Sequence, residues 1–197
     1  MIVLLDNGHG VNTPGKRSPD GKLREYAWTR EVAKMVEAGL RANGVEVRRI
    51  VPEDADISLL ERCRRVNAEC KRVGAKNCVL VSIHNNAAGG GGGKWKTATG
   101  WSGWVYTKAS ARSRMLAQLL YAEAEKRGLK GNRCVPKEKY WTANFFILKN
   151  TACPAVLTEN LFQDNREDVA FLLSDKGKET IARLHVEVLT AYAQGRV

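Results

Sequence analysis

The stretch Val79-Leu80-Val81-Ser82-Ile83-His84-Asn85-Asn86 decides how this chain reads. Four of its first five residues are apolar and three are β-branched. Such a run reads as a strand buried on both faces, inside a parallel sheet. It ends in His84, and a glycine-rich run follows. Ligands of open α/β sheets bind outside the carboxyl ends of the strands, which puts His84 where chemistry is done. The apolar run Ile2-Val3-Leu4-Leu5 ends in the same way, in Asp6-Asn7-Gly8-His9-Gly10, and a third, Ala155-Val156-Leu157-Thr158, ends in Glu159. Three strands can therefore bring His9, His84 and Glu159 to one edge of one sheet.

Helical periodicity fills the intervals. Trp28, Val32, Met35, Val36 and Leu40 recur at three- and four-residue spacing until Asn43-Gly44 supplies a left-handed stop, so a helix begins at Tyr26 and Glu25 stands at its start. Residues 45–51 then read as a strand. Ser58 and Glu61 make a capping box ahead of Leu59, Cys63, Val66, Cys70 and Val73, and Gly74 closes that helix. Residues 100–106 alternate as a strand, Ser110 caps a helix that runs to Gly128, and residues 131–143 read as a loop. Residues 145–148 and 155–158 read as two strands. A short helix follows Asn165, and a long one from about residue 175 carries the face Ile181, Leu184, His185, Val188, Leu189 and Tyr192. This alternation predicts one three-layer α/β domain over residues 1–197, with a mostly parallel twisted sheet of about six strands and helices on both faces. The segments 87–100, with glycines at 89–93, and 131–143 are expected to be mobile insertions.

With 197 residues, 44% of them hydrophobic, the chain can bury a full core. The first strand begins at residue 2, which leaves no room for a signal peptide, and no apolar run approaches the ~20 residues that span a bilayer. The five cysteines are odd in number and scattered without a CxxC pair, which fits a free-thiol protein made in the cytoplasm and not stably inserted in a membrane. A net charge of +11 points to an anionic partner.

Two histidines and a carboxylate that converge, with a second carboxylate close by, fit a catalytic zinc site. The residues resemble the zinc-dependent N-acetylmuramoyl-L-alanine amidases of the Amidase_3 family. The opening strand into Asp6-Asn7-Gly8-His9-Gly10 is similar to the family's Asp-Pro-Gly-His-Gly, and Glu25 ahead of Tyr26-Ala27-Trp28 matches its helix-start Glu. Arg65-Val66-Asn67-Ala68 is a loose match to a mid-helix motif. Ser82-Ile83-His84-Asn85-Asn86 resembles Ser-Ile-His-Ala-Asn, and Pro154-Ala155-Val156-Leu157-Thr158-Glu159 with Phe162 and Asn165-Arg166-Glu167-Asp168 resembles the closing motif. The resemblance implies that His9, Glu25 and His84 hold one Zn²⁺ per chain and that Glu159 is the general base. It implies cleavage of the amide between N-acetylmuramic acid and L-alanine in peptidoglycan. Apart from the resemblance, the chain is expected to be a monomer, and the lack of an RNP-like, zinc-finger or helix-turn-helix signature speaks against a nucleic-acid partner. The chain resembles the stand-alone catalytic domains of phage or prophage lysis enzymes, which act at the bacterial cell wall.

Plainer readings stand beside these. His9 could be a turn histidine, Glu25 ordinary helix N-terminal charge, Glu159 a strand-end cap, and His185 is a core histidine on an apolar helix face. Asp20 is the next acid in line if Glu25 is not a ligand. Outside the motifs, Trp95, Trp141, Lys94 and Lys96 are candidate substrate-binding residues in the two insertions, which Arg133, Lys137 and Lys139 make basic. The rival classes are a basic nucleic-acid-binding module and an amidase homologue that binds cell wall without cutting it.

Overall fold

The computed structural model describes residues 1–89, 93–132 and 134–197. Its apolar, β-branched runs form strands β1 (Ile2–Asn7), β3 (Cys78–Asn86) and β6 (Ala155–Phe162). Shorter strands β2 (Glu46–Arg49), β4 (Ser102–Val105) and β5 (Trp141–Thr142) complete one sheet, in the order β2-β1-β3-β6-β4-β5. All neighbouring pairs are parallel except β4 with β6. The expected mostly parallel sheet is thus present.

Alternation along the strands sends side chains to two cores. Val3, Leu5, Val79, Val81, Ile83 and Val156 pack with the helices α1 (Glu25–Ala42), α3 (Ala111–Lys126), α5 (Arg166–Leu173) and α6 (Asp175–Ala193) on one face. Ile2, Leu4, Leu80, Ala155 and Leu157 pack with α2 (Leu59–Val73) and α4 (Phe146–Lys149) on the other. The helices start where the sequence supplies caps. Ser58 Oγ accepts from the Glu61 N–H, Ser110 Oγ from Ser113, and Asn165 Oδ1 from Glu167 and Asp168. Cys63 and Cys70 are buried core residues, and all five cysteines are unpaired.

Three local expectations are corrected. Residues 145–148 are not a strand: Ile147 and Leu148 are buried in α4 while Phe145 and Phe146 face outward. Four apolar residues are too few for periodicity to separate strand from helix. The loop expected over 131–143 contains β5, because Trp141 finds Trp104 of β4 as its cross-strand partner. Strand β6 does not stop before Glu159 but continues to Phe162. Opposite β3 it carries one extra residue: His84 pairs with Glu159 and Asn86 with Phe162. Such a bulge re-aims the side chains beside it, and here Leu161 takes the left-handed φ of 63°.

Residues 90–92 of the glycine run and Arg133 lie outside the described residues. The flanks of that run are tied to the turn after β6: Ala88 and Gly89 donate their N–H groups to the Asp164 carboxylate, and Lys96 N–H donates to the Asp164 carbonyl.

Candidate metal centre and active site

Parallel pairing of β1 with β3 and of β3 with β6 sets Asn7 beside Ile83 and His84 beside Glu159, so the three strand ends converge as the spacing predicted. His9 follows β1 with φ at 60°, a conformation that costs an ordinary residue about 1–2 kcal/mol. The backbone there is braced from outside. The His9 carbonyl accepts from both Arg30 Nη2 and Arg62 Nη2, each at 3.0 Å. Arg62 also bonds Asp6 Oδ1 at 2.6 Å, an ion pair closed to solvent on both sides. Gly8 has to be glycine because a Cβ there would collide with the His84 ring.

Glu25, the first residue of α1, is wholly buried and faces both histidines. Its Oε1 lies 3.2 Å from His84 Nδ1 and 3.4 Å from His9 Nε2, and the two rings meet edge to face at 4.9 Å. The three ligand atoms all lie within 4.8 Å of one another. Donors held about 2.1 Å from one ion at tetrahedral angles stand about 3.4 Å apart, so this group fits zinc. Two imidazoles and a carboxylate are also the donor types zinc favours in catalytic sites. Asn85 N–H donates to Glu25 Oε1 and Gln163 Nε2 donates to Oε2, which fixes the carboxylate from behind.

The electrostatics suit a ligand set. Burial works to raise the Glu25 pKa, but hydrogen bonds and charges from His84 and His9 override it and hold the carboxyl well below the usual range. Burial lowers the pKa of His9. Burial pulls His84 down as well, yet the carboxylates of Glu25, Glu159 and Asp6 leave it raised on balance. Glu159 behaves differently from Glu25. Burial pushes its carboxyl up to about 7, with Glu25 adding to the rise and His84 and Lys16 opposing it. Its Oε2 has no hydrogen-bond partner among the described residues. Two cavities meet at this carboxyl. One, of about 370 Å³, is walled by Ile57, Leu59, Phe145, Phe146 and Leu157; the other, of about 420 Å³, by Lys16, Asn85, Asn86, Gln163 and Glu25.

The four motif residues therefore come together, and Asp20 does not join them: it hydrogen-bonds Ser18 in the loop before α1. The candidate substrate residues lie further out. Trp95 is half-buried with the Arg166 guanidinium 4.5 Å over its ring, and Lys94 and Lys96 are exposed. Trp141 lines a cavity with Asn86, Ala87 and Trp104. His185 is a core residue, as read from the sequence: Thr158 Oγ1 lies 3.0 Å from its Nε2, and its Nδ1 is 2.8 Å from the Ile181 carbonyl. Sequence reasoning missed Arg30, Arg62 and Gln163. Arg65, in the quoted motif, pairs with Glu53 and Glu61 instead, whereas Arg62 reaches the site. The available signal was an arginine four residues before Val66, on the apolar side of α2.

With this geometry in place, comparison with known proteins defines the class. Residues 3–191 match the family model described as N-acetylmuramoyl-L-alanine amidase, Amidase_3, and the chain belongs to that family. It is 32% identical over 194 residues to the endolysin of Bacillus phage SPP1, covering 94% of this chain and 64% of that one. It is 31% identical to the N-acetylmuramoyl-L-alanine amidase CwlM of Bacillus licheniformis, covering 95% of this chain and 66% of that one. The chain thus spans just under two thirds of these relatives. Among solved structures, the N-acetylmuramoyl-L-alanine amidase of Clostridium difficile 630 superposes with a TM-score of 0.82 at 25% identity, covering 100% of this chain and 98% of that one.

Proposed function

We propose that this chain is a zinc-dependent amidase that hydrolyses the bond between N-acetylmuramic acid and L-alanine, releasing stem peptides from the glycan strands of peptidoglycan. The observation that carries the reading is the His9, Glu25 and His84 group with, beside His84, a buried Glu159 oxygen that has no hydrogen-bond partner among the described residues. His9, Glu25 and His84 would hold the ion. When bound, zinc supplies Lewis acidity, polarising the scissile carbonyl and making water easier to deprotonate.

The rest of the chemistry belongs to the chain. Glu159, a buried carboxyl beside the three donors, takes a proton from the attacking water and delivers it to the leaving nitrogen of L-alanine. The Asn85 N–H and Gln163 keep Glu25 from turning its charge toward that base. The arginine brace keeps His9 in its strained turn, so the imidazole is preorganised rather than recruited. Lys16, Lys94, Lys96, Trp95 and Trp141 form the outer groove in this reading, and the position of Trp141 beside Asn86 and Ala87 supports it. The phage endolysin among the relatives supports action at the bacterial wall as a phage or prophage lysis enzyme. We propose that the chain works there as a monomer.

Measuring zinc content and turnover together on Glu159→Gln tests the assignment of roles. Zinc is expected to remain at one per chain while turnover falls roughly 10²-fold or more, the range of general-base contributions. Loss of zinc in that variant would make Glu159 a ligand and overturn the proposed division of labour.

A further inference from the structure

Five residues border both of the cavities that meet at Glu159: His9, His84, Glu159, Phe145 and Lys16. Three of them belong to the centre described above, which leaves one aromatic ring and one cation. The only other lysine or arginine on either cavity wall is Arg62. Its guanidinium is already committed, to Asp6, Asp56 and the carbonyls of Asn7, His9 and Ile57. Lys16 is different. It is half-buried, and its ammonium has no hydrogen bond or ion pair among the described residues. Its backbone is fixed to the centre: the Lys16 carbonyl accepts the Glu25 N–H at 3.0 Å, and Arg17 pairs with Arg24 across the same loop. Burial dominates the pKa shifts of His9 and Glu159, and the Lys16 charge is felt by both, lowering each. The ammonium therefore lies within electrostatic reach of the reacting groups.

A cation that is partly removed from water and has no anion beside it is poised for one that the substrate brings. We infer that Lys16 forms a carboxylate subsite, and that the carboxylate it takes is that of the acidic residue following L-alanine in the stem peptide. The inference rests on the amidase reading above. Lys16 borders the same cavities as Glu159, so its anion has to belong to a group close to the cut bond. Of the anions in this substrate class, the stem carboxylate next to L-alanine is the nearest to that bond. The acids on the cavity walls, Asp6, Glu25, Asp56 and Glu159, repel it, so the one uncommitted cation decides where it settles. Because the Lys16 backbone is bonded to the first residue of α1, this subsite and the Glu25 carboxylate are held in one frame. Amidation of the stem carboxylate removes the contact. Lys16 thus makes the enzyme select stems with a free carboxylate over stems that carry a carboxamide there.

The test compares two soluble muramoyl-peptides on the zinc-loaded enzyme, identical except that the residue after L-alanine carries a free carboxylate in one and a carboxamide in the other. On the wild-type chain the carboxylate substrate is expected to show a kcat/KM about tenfold higher, chiefly through a lower KM, because the group lies off the reacting bond. That ratio should shrink in high salt. In Lys16→Met, which keeps the apolar stem and loses the charge, it should fall below about twofold, while Lys16→Arg should keep most of it. Zinc content measured on each variant confirms that loaded enzymes are compared. A fall in kcat that is equal for both substrates in Lys16→Met would place the ammonium at the reacting carbonyl instead and overturn the inference. A ratio that stays near tenfold in that variant would place the carboxylate elsewhere and overturn it as well. So would equal cleavage of both substrates by the wild-type chain. If the wild-type chain cleaves neither, the amidase reading itself fails.

Discussion

His9 holds a backbone conformation that its own side chain disfavours, and two buried arginines keep it there. Arg62 matters most, because it also neutralises Asp6, which takes a further hydrogen bond from Ser82. Removing one partner of a buried pair leaves an uncompensated charge, so Arg62→Met is expected to cost about 3–5 kcal/mol of unfolding free energy. Adding Asp6→Asn should recover part of that loss. Denaturant unfolding checks both, and a double variant no more stable than Arg62→Met would deny the pairing its role. A second residue-scale expectation concerns pH. Burial depresses His185 from 6.5 to about 4, while the unfolded chain titrates it near 6.5. Between those values the unfolded state binds more protons, so stability falls as pH drops through that window, by up to about 1.4 kcal/mol per unit. Above it, His185 contributes no slope. His185→Leu should show a shallower decline from pH 6.5 to 4, and an equal decline in both proteins would mean that His185 is charged in the folded state. At this scale the convergence of His9, Glu25, His84 and Glu159 was legible because each ends a strand or starts a helix within a motif. Arg62 and Gln163 were not, because a single arginine or glutamine in the sequence carries no mark of the backbone it will hold.

At the scale of elements, the strands and long helices followed from apolar periodicity, and the failures share a cause. Residues 145–148 have strand-like composition, yet the sheet already has β6 beside β3 and β4 beside β6. The segment instead closes the second core under α2 as a helical turn, with Phe145 and Phe146 left at the cavity mouth. Tertiary context overrode propensity there. The bulge in β6 was likewise unreadable, since no local signal announces that the strand continues past Glu159. Helix α5 ties down the end of that strand: Asp168 accepts from the Phe162 N–H and from Thr99. Its Asn165 cap should be worth about 1 kcal/mol, so Asn165→Ala is expected to lower stability by that amount in thermal unfolding, with zinc content unchanged. A larger loss, or loss of zinc, would show that the cap also supports the bulge.

For the whole molecule, the architecture follows from two apolar faces of one sheet, and the site follows from the topology that aims three strand ends at one edge. Helix α1 adds the fourth residue, Glu25, because its N-terminus lies against β3, where Asn85 donates to the carboxylate. No helix among the described residues is long and apolar enough to cross a membrane. Ligand binding to the folded chain alone stabilises it by mass action, so free zinc at a thousandfold above Kd should add about 4 kcal/mol, and chelator should remove it. Glu25→Ala should show little of this gain in a thermal melt, and a full gain would place the ion elsewhere. This arrangement is expected to cut one bond, the amide between N-acetylmuramic acid and L-alanine. Mass spectrometry of purified peptidoglycan digested with the protein, with and without chelator, decides it. Free L-alanyl stem peptides and intact, peptide-free muramic acid strands are expected, with both products absent under chelation. Cleavage within the glycan or between stem residues, or the same products with the metal removed, would contradict the account.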